Sequence, residues 1–418
     1  VTDISRERAY DEIDLSSRKF WAQPAPVREQ SFAVLRAQRP LSWHPPVEDA
    51  LLIDEEDPGY WAVVRHADIV EVSRRHEVFV SGQGVIFENV PEMMLETTQS
   101  FLATDPPRHT KLRKLVSAAF TPRQIARISE QIEGRAAQVV ADLAAAGSGA
   151  DFVRECAGPL PQRVFCDMVG VDEENREVVA EAAAALVSWA DPVYIADRDP
   201  LEVMFEAQMV LLQHALALAE ERRSRPTGDL MSALVGAEVD GESLLDEEIG
   251  AFFILLAVAA NDTTRQTMSH AVHALTAYPE QRAWLAADFD ARIGSAVEEF
   301  VRWATPVMTF RRTAVADVEL HGTTVHAGEK VVMMYPSGNW DTDVFSDPAA
   351  FDLSRHPNPH VSFGGGGVHF CLGAQLARTQ LRAVFRELFT RLPELAAGEP
   401  DYLTGNFIHV VRTLPVTF

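Results

Sequence analysis

Cysteine is scarce. Cys156, Cys166 and Cys371 are the three in 418 residues, with no Cys-x-x-Cys spacing among them. That excludes a disulfide framework and a zinc or dithiol pair, and makes a reducing cytoplasm the expected location. Long apolar runs are missing too. The longest unbroken one covers residues 251–260, short of the roughly 18 residues a membrane span needs, so a buried core helix is expected there and no integral membrane association. The opening VTDISRERAYDEID mixes charges where a secretory leader needs an apolar stretch. Positive charge is in deficit, since 37 Lys and Arg against 61 Asp and Glu leave a net charge of −24. A chain of that sign does not coat itself on nucleic acid or an anionic membrane, so any basic partner site has to be local.

What remains is the composition of an ordinary folded protein, with 47% hydrophobic and 23% charged residues. No linker, repeat or low-complexity tract divides it, so a single domain over residues 1–418 is expected. Apolar residues recur at three- and four-residue steps from about Pro106 to Phe300, in KLRKLVSAAF, QIARISEQIEGRAAQVVADLAAA and MFEAQMVLLQHALALAEERR. Strand-like pieces cluster near Tyr60, between Thr309 and Pro336, and in the C-terminal FIHVVRTLPVTF. The expectation is a mainly α body with small flanking β-sheets.

The densest signal lies in FGGGGVHFCLGAQLARTQLRAVFRELFTRL, residues Phe363 to Leu392. Leu372, Leu376, Leu381, Val384, Phe385, Leu388 and Leu392 fall on one stripe of a helix. Cys371 therefore stands at a helix N-terminus, where free N–H groups and the helix dipole favour a thiolate. Glycines ahead of it would let the chain lie close to a large ligand. A P-loop would need Gly-Lys-Ser/Thr after the glycines, and a dinucleotide fingerprint would need a third glycine where His369 or Phe370 stands. A lone inert cysteine is the alternative for this residue taken alone. Gly367-x-His369-x-Cys371-x-Gly373 followed by Ala-x-x-Leu-Ala-Arg resembles the haem-binding loop of a cytochrome P-450, with the cysteine as proximal iron ligand. That family's haem b and its thiolate-assisted O–O cleavage are what the resemblance implies. Phe363 stands eight residues before the cysteine where the commonest bacterial form has seven, and FGGGGxHFCLG is similar to a branch that oxidises methyl-branched lipids and sterol side chains.

Further family elements follow in chain order. The stretch from about Asp246 to Ala277 opens with acids, stops before Pro279 and would span roughly 45 to 50 Å at 1.5 Å per residue. A carboxylate and a hydroxyl at the centre of such an apolar helix, Asp262 and Thr263, either satisfy nearby backbone or handle protons. They resemble the family's distal acid–alcohol pair, with Ala260 where a glycine is common. His270 and His273 lack further ligands and read as ordinary helix residues. Glu299 and Arg302 share a helix face, and with Arg355 they resemble the family's structural Glu, Arg, Arg cluster. Trp340 replaces a customary arginine. By resemblance, His109 and Arg113 of DPPRHTKLRK, Arg312 and His369 would meet the haem carboxylates, with Arg311 the alternative to Arg312.

The chain carries no electron-transfer module of its own, so electrons from NAD(P)H would arrive through ferredoxin reductase and ferredoxin. From Asp105 to Arg127 six cations (Arg108, Lys111, Arg113, Lys114, Arg123, Arg127) face one acid, Asp105. Such a patch either steers a small acidic ferredoxin or forms a solvated helix face. Pocket candidates by region are Phe87, Val90, Met93, Met94, Leu95, Val307, Met308, Phe310 and Phe407, which suit a flexible hydrocarbon or a plain core. The resemblance implies a monomeric O2-dependent monooxygenase that hydroxylates the terminal carbon of a methyl-branched fatty lipid or isoprenoid, with sterol side-chain oxidation as the rival. A haem sensor, a peroxygenase or isomerase on the same ligation, and a haem-free lipid-binding protein are the other classes kept open.

Overall fold

The computed structural model describes residues 8–418 apart from 49, 53, 90–99, 120–121, 189–190 and 240. Its organising element is the helix Asp246–Ala277, 32 residues and so about 48 Å long. Three acids, Asp246, Glu247 and Glu248, occupy its first turn, where the helix dipole favours them. Glu248 also accepts from the Leu245 N–H at 2.9 Å, satisfying one of the end donors. Ile249, Phe252, Phe253, Ala257, Met268 and Leu275 are buried along it. Helices Pro159–Val169, Arg176–Ala185, Pro200–Ser224 and Phe289–Ala304 pack against it, and their apolar stripes form one continuous core with those of Pro122–Ala146 and Ala374–Arg391.

Pro200–Ser224 is the one described helix long and apolar enough, by length and composition, to cross a membrane. Here it packs along the central helix, with Gly250 at the crossing, where a Cβ would come 2.4 Å from Leu212 Cδ1. Its start is set by Asp199, whose carboxylate accepts from Leu201 N at 2.8 Å and Glu202 N at 3.1 Å, with Pro200 at the first helical position.

Strands collect beside this helical body. Five of them lie in the order Leu41–His44, Tyr60–Val63, Lys330–Met334, Thr309–Ala314, Phe79–Val80, and only the pairing of Tyr60–Val63 with Lys330–Met334 is parallel. Among the described residues, four two-stranded ribbons of two or three residues a strand lie apart from this sheet. The mainly α fold with small sheets is as the sequence indicated, and Asp246–Ala277 has the bounds its pattern gave.

Candidate functional site

Gly364, Gly366 and Gly367 carry φ of +96°, +92° and +74°, a region closed to most side chains. The glycines also permit contact. A Cβ on Gly365 would lie 2.5 Å from Ser73 Oγ, and one on Gly367 would lie 2.5 Å from the Ser73 carbonyl oxygen. The loop is thus pressed onto the last turn of the helix His66–Arg74. At these two positions the missing side chains admit protein.

Cys371 follows with its N–H on the Phe363 carbonyl at 3.0 Å, two residues before Gly373, which caps the helix Ala374–Arg391. Its side chain retains open surface although protein crowds the sulfur. Burial pushes the thiol up, while the Gly373 and Ala374 N–H groups and the charges of Arg113 and Arg378 pull it down. Arg113 clamps the loop, donating to Val368 O at 3.0 Å and Phe370 O at 2.6 Å. On the other side Arg378 donates to both oxygens of Glu298, at 2.6 and 2.8 Å, and its guanidinium lies 4.4 Å from the Phe363 ring centroid.

His109 and His369 meet here, ring centroids 4.3 Å apart. Neither nitrogen of His109, nor Nδ1 of His369, has a hydrogen-bond partner among the described residues; Nε2 of His369 lies 3.1 Å from Ser81 Oγ. Burial drives His369 down to about 2, and Arg312, His109 and Arg113 push the same way. The neighbouring acid, Asp105, has its oxygens on the Ser81 and Gly82 N–H groups, both at 2.8 Å. Arg311 is occupied elsewhere, on Gln83 O and, at 2.8 Å, Asn89 Oδ1. Arg312 is buried and donates to Arg311 O at 2.7 Å, and of the two arginines it is the one whose charge acts on His369. The result is a buried group of donors that calls for an anion.

Along the central helix Asp262 and Thr263 diverge although they are adjacent. Asp262 is buried and ion-paired with Arg265 one turn on, and burial raises its carboxyl against that arginine. Thr263 is half-buried and its Oγ1 donates to Ala259 O at 2.9 Å. Behind the cysteine loop, Glu299 and Arg302 are fully buried and joined by hydrogen bonds of 2.7 and 2.8 Å; Arg355 reaches Glu299 at 3.2 Å and the Ser346, Asp347 and Ala350 carbonyls. Trp340 stacks toward Trp303, centroids 5.7 Å apart. His270 Nε2–H donates to His409 O, 3.0 Å away, inside the core, and no group of three or more His, Cys, Asp and Glu that could hold a metal ion occurs among the described residues.

The cationic run is divided. Arg108 pairs with Glu248 and Lys111 with Glu242, near the start of the central helix; Arg127 reaches over Gly228. Lys114 is exposed. A run of six cations is therefore partly compensated by acids from another part of the chain, which its sequence could not reveal.

A cleft of about 390 Å³ opens between the segments 16–21, 47–51, 187–201 and 403–410. Phe407 lines it and meets Phe310, centroids 5.7 Å apart. Phe87 instead packs on Tyr60 and borders a neighbouring recess, and Val307 bridges to Ile408. Met308 is buried in the core formed with Phe20, Trp21 and Phe32. Val90, Met93, Met94 and Leu95 lie outside the described residues.

A family model for cytochrome P450 matches residues 59–392. The chain belongs to the cytochrome P450 family. This P450 is 42% identical over 410 residues to a methyl-branched lipid omega-hydroxylase of Mycobacterium tuberculosis, covering 97% of this chain and 95% of that one. It is 39% identical over 368 residues to a steroid C26-monooxygenase of Mycolicibacterium smegmatis, at 87% and 84% coverage. A solved Mycobacterium marinum cytochrome P450 in complex with pseudoionone superposes with a TM-score of 0.95 at 65% identity, over 99% of this chain and 100% of that one. Membership makes the protein an oxidoreductase enzyme and implies haem b and the use of O2. The residues present fit that group: a crowded thiol on a helix N-terminus for the iron, and a buried donor cluster at His109, His369 and Arg312 for two carboxylates.

Two features of this P450 were not legible in the sequence. Glu298 and His360 join Arg378 beneath the cysteine loop, and the N-terminal residues Ser16, Trp21, Val47 and Leu51 wall the cleft. The spacing of Glu298, one residue before Glu299, offered a signal; the N-terminal lining carries none.

Proposed function

We propose that this P450 hydroxylates the terminal methyl of a methyl-branched lipid or isoprenoid chain, with electrons passed from NAD(P)H through a ferredoxin. The observation that carries the substrate class is the likeness, over nearly the whole chain, to a methyl-branched lipid omega-hydroxylase and to an enzyme crystallised with the branched ketone pseudoionone. A cleft whose apolar lining includes Trp21, Val47, Leu51, Val187, Leu201 and Phe407 suits such a chain. Sterol side-chain oxidation is the second reading, favoured by the steroid C26-monooxygenase relatives.

When bound, haem held by the Cys371 thiolate supplies O2 activation and oxygen insertion into C–H bonds. The chain's own part is to hold and protect it. Cys371 supplies the thiolate, and Arg113, Arg378 and the amides of Gly373 and Ala374 favour its charge. His109, His369 and Arg312 orient the cofactor's carboxylates, while Arg113 steadies the loop by its carbonyls. Thr263 offers a hydroxyl whose proton is already given to Ala259 O, so its oxygen accepts from a neighbour. Asp262 relays protons from Arg265's side of the helix when that ion pair opens. Glu299, Arg302 and Arg355 brace the loop, and the whole chain acts as one haem domain.

The test is an optical titration of the haem protein with a methyl-branched acid and its ester, an unbranched fatty acid and a cholestenone, followed by product analysis. Loss of iron-bound water with the branched chains and a terminal alcohol as product are expected. Response to the sterol alone would move the assignment to side-chain oxidation.

A further inference from the structure

Glu88 is a buried carboxyl group that the reaction above does not use, and it lines the cleft that the branched-chain reading assigns to the substrate. It is 5% exposed and lines both the 390 Å³ cleft and the adjoining recess of about 270 Å³. Oε2 accepts from Leu51 N at 3.0 Å, and the side chain hydrogen-bonds with that of Asn406 in the C-terminal turn that walls the cleft. That turn is itself fixed, with Asn406 O accepting from Thr309 Oγ1 at 2.8 Å and Phe407 O from Met308 N at 2.7 Å. The segment carrying Glu88 is fixed as well, because Arg311 binds Gln83 O and Asn89 Oδ1. Glu88 is therefore a built wall of the cleft.

The charges around it are unusual for a passage that would admit a fatty acid. Besides Glu88 the cleft is lined by Glu48 and Asp199 and by one cation, Arg18. Glu48 accepts from the Arg18 backbone N–H at 2.7 Å, and Asp199 is committed to the helix start at Leu201 and Glu202. On the recess side Lys330 is ion-paired with Asp57, which also accepts from Asn89, and Asp54 stands beside them. The one arginine that touches the Glu88 residue, Arg311, meets its backbone oxygen, 3.4 Å away. Burial pushes the Glu88 carboxyl up to about 7, with the Leu51 N–H and Asn406 pulling down. At neutral pH a good share of the molecules hold Glu88 protonated, as a hydrogen-bond donor.

Resting on the branched-chain reading, we propose that Glu88 sets the head-group specificity of this P450: the chain is taken with an uncharged oxygen at its polar end, a ketone, ester or alcohol, and a free carboxylate is turned away. An uncharged oxygen can accept the Glu88 proton. A carboxylate would meet Glu88 in the wall and Glu48 and Asp199 at the exposed rim, three acids against the one arginine Arg18.

The experiment uses the haem protein and three probes with one branched tail: phytanic acid, its methyl ester, and pristane, which has no head. Binding is read as loss of iron-bound water at pH 6, 7 and 8. The ester is expected to bind at least tenfold more tightly than the acid at pH 7, and to weaken severalfold as pH rises through 7 because Glu88 loses its proton. Glu88→Gln, which keeps an uncharged donor, should retain the ester preference and flatten that pH dependence. Glu88→Lys should bring the acid level with the ester or ahead of it. Equal binding of acid and ester by the unaltered protein, or an unchanged pH dependence in Glu88→Gln, would overturn the proposal even if Glu88→Lys does not fold. Pristane binding with no head-group preference would overturn it and leave the branched-chain reading standing, whereas silence with all three probes would overturn both.

Discussion

The rings of His109 and His369 lie 4.3 Å apart, brought together from positions 260 residues distant in sequence, and three of their four nitrogens meet no partner among the described residues. Arg312 belongs with them, and Arg311 does not. Arg312→Leu should weaken haem retention by about tenfold to a hundredfold, as expected for one charge-assisted hydrogen bond of roughly 1.5–3 kcal/mol, while the protein stays folded. Arg311→Leu should instead lower stability with little effect on haem affinity, because it strips the 83–89 segment of its clamp. Haem-transfer kinetics and thermal unfolding of the two variants separate the roles.

Asp262 and Thr263 point to different partners. Thr263→Ala is expected to leave ligand binding intact and to divert most reducing equivalents to peroxide, read as product formed per NAD(P)H consumed. Asp262→Asn should slow turnover by at least tenfold, the usual range for a lost proton-transfer group. A full turnover rate and full coupling in both would favour a haem sensor or electron carrier.

Glu298 is held down to about 2 despite its burial, by hydrogen bonds from Arg378 and His360. A carboxyl lowered on folding stabilises the native state above its unfolded value, about 4.5, and that stabilisation is lost as pH falls from there toward 2. Glu298→Gln should cost on the order of 2 kcal/mol at pH 7, and the difference from the unaltered protein should shrink steadily below pH 4.5. Denaturant unfolding at several pH values measures it. A difference that does not change with pH would mean that packing, and not charge, carries the effect.

Lys114 is exposed, and Arg108 and Lys111 pair with Glu248 and Glu242. Lys114→Glu should therefore slow reduction by a ferredoxin severalfold, with a weaker salt dependence and unchanged substrate affinity. Arg108→Glu, by contrast, should act mainly on stability. Stopped-flow reduction across ionic strength distinguishes the two.

The sequence by itself determined the elements and the family. Apolar periodicity gave the helix Asp246–Ala277, and the spacing around Cys371 identified its loop, because both are local patterns in which neighbours along the chain share one face or one turn. The Glu299, Arg302 and Arg355 positions were equally readable, two of them one helical turn apart. Only the tertiary structure decided the partners. It put Ser73 against Gly365, split the cations between ion pairs and surface, set Arg312 and not Arg311 beside the histidines, took Met308 into the core, and stood Glu88 in the cleft wall. Each of these depends on groups far apart in the chain being desolvated together, and the energy of a buried charge is fixed by what surrounds it, which no local pattern records.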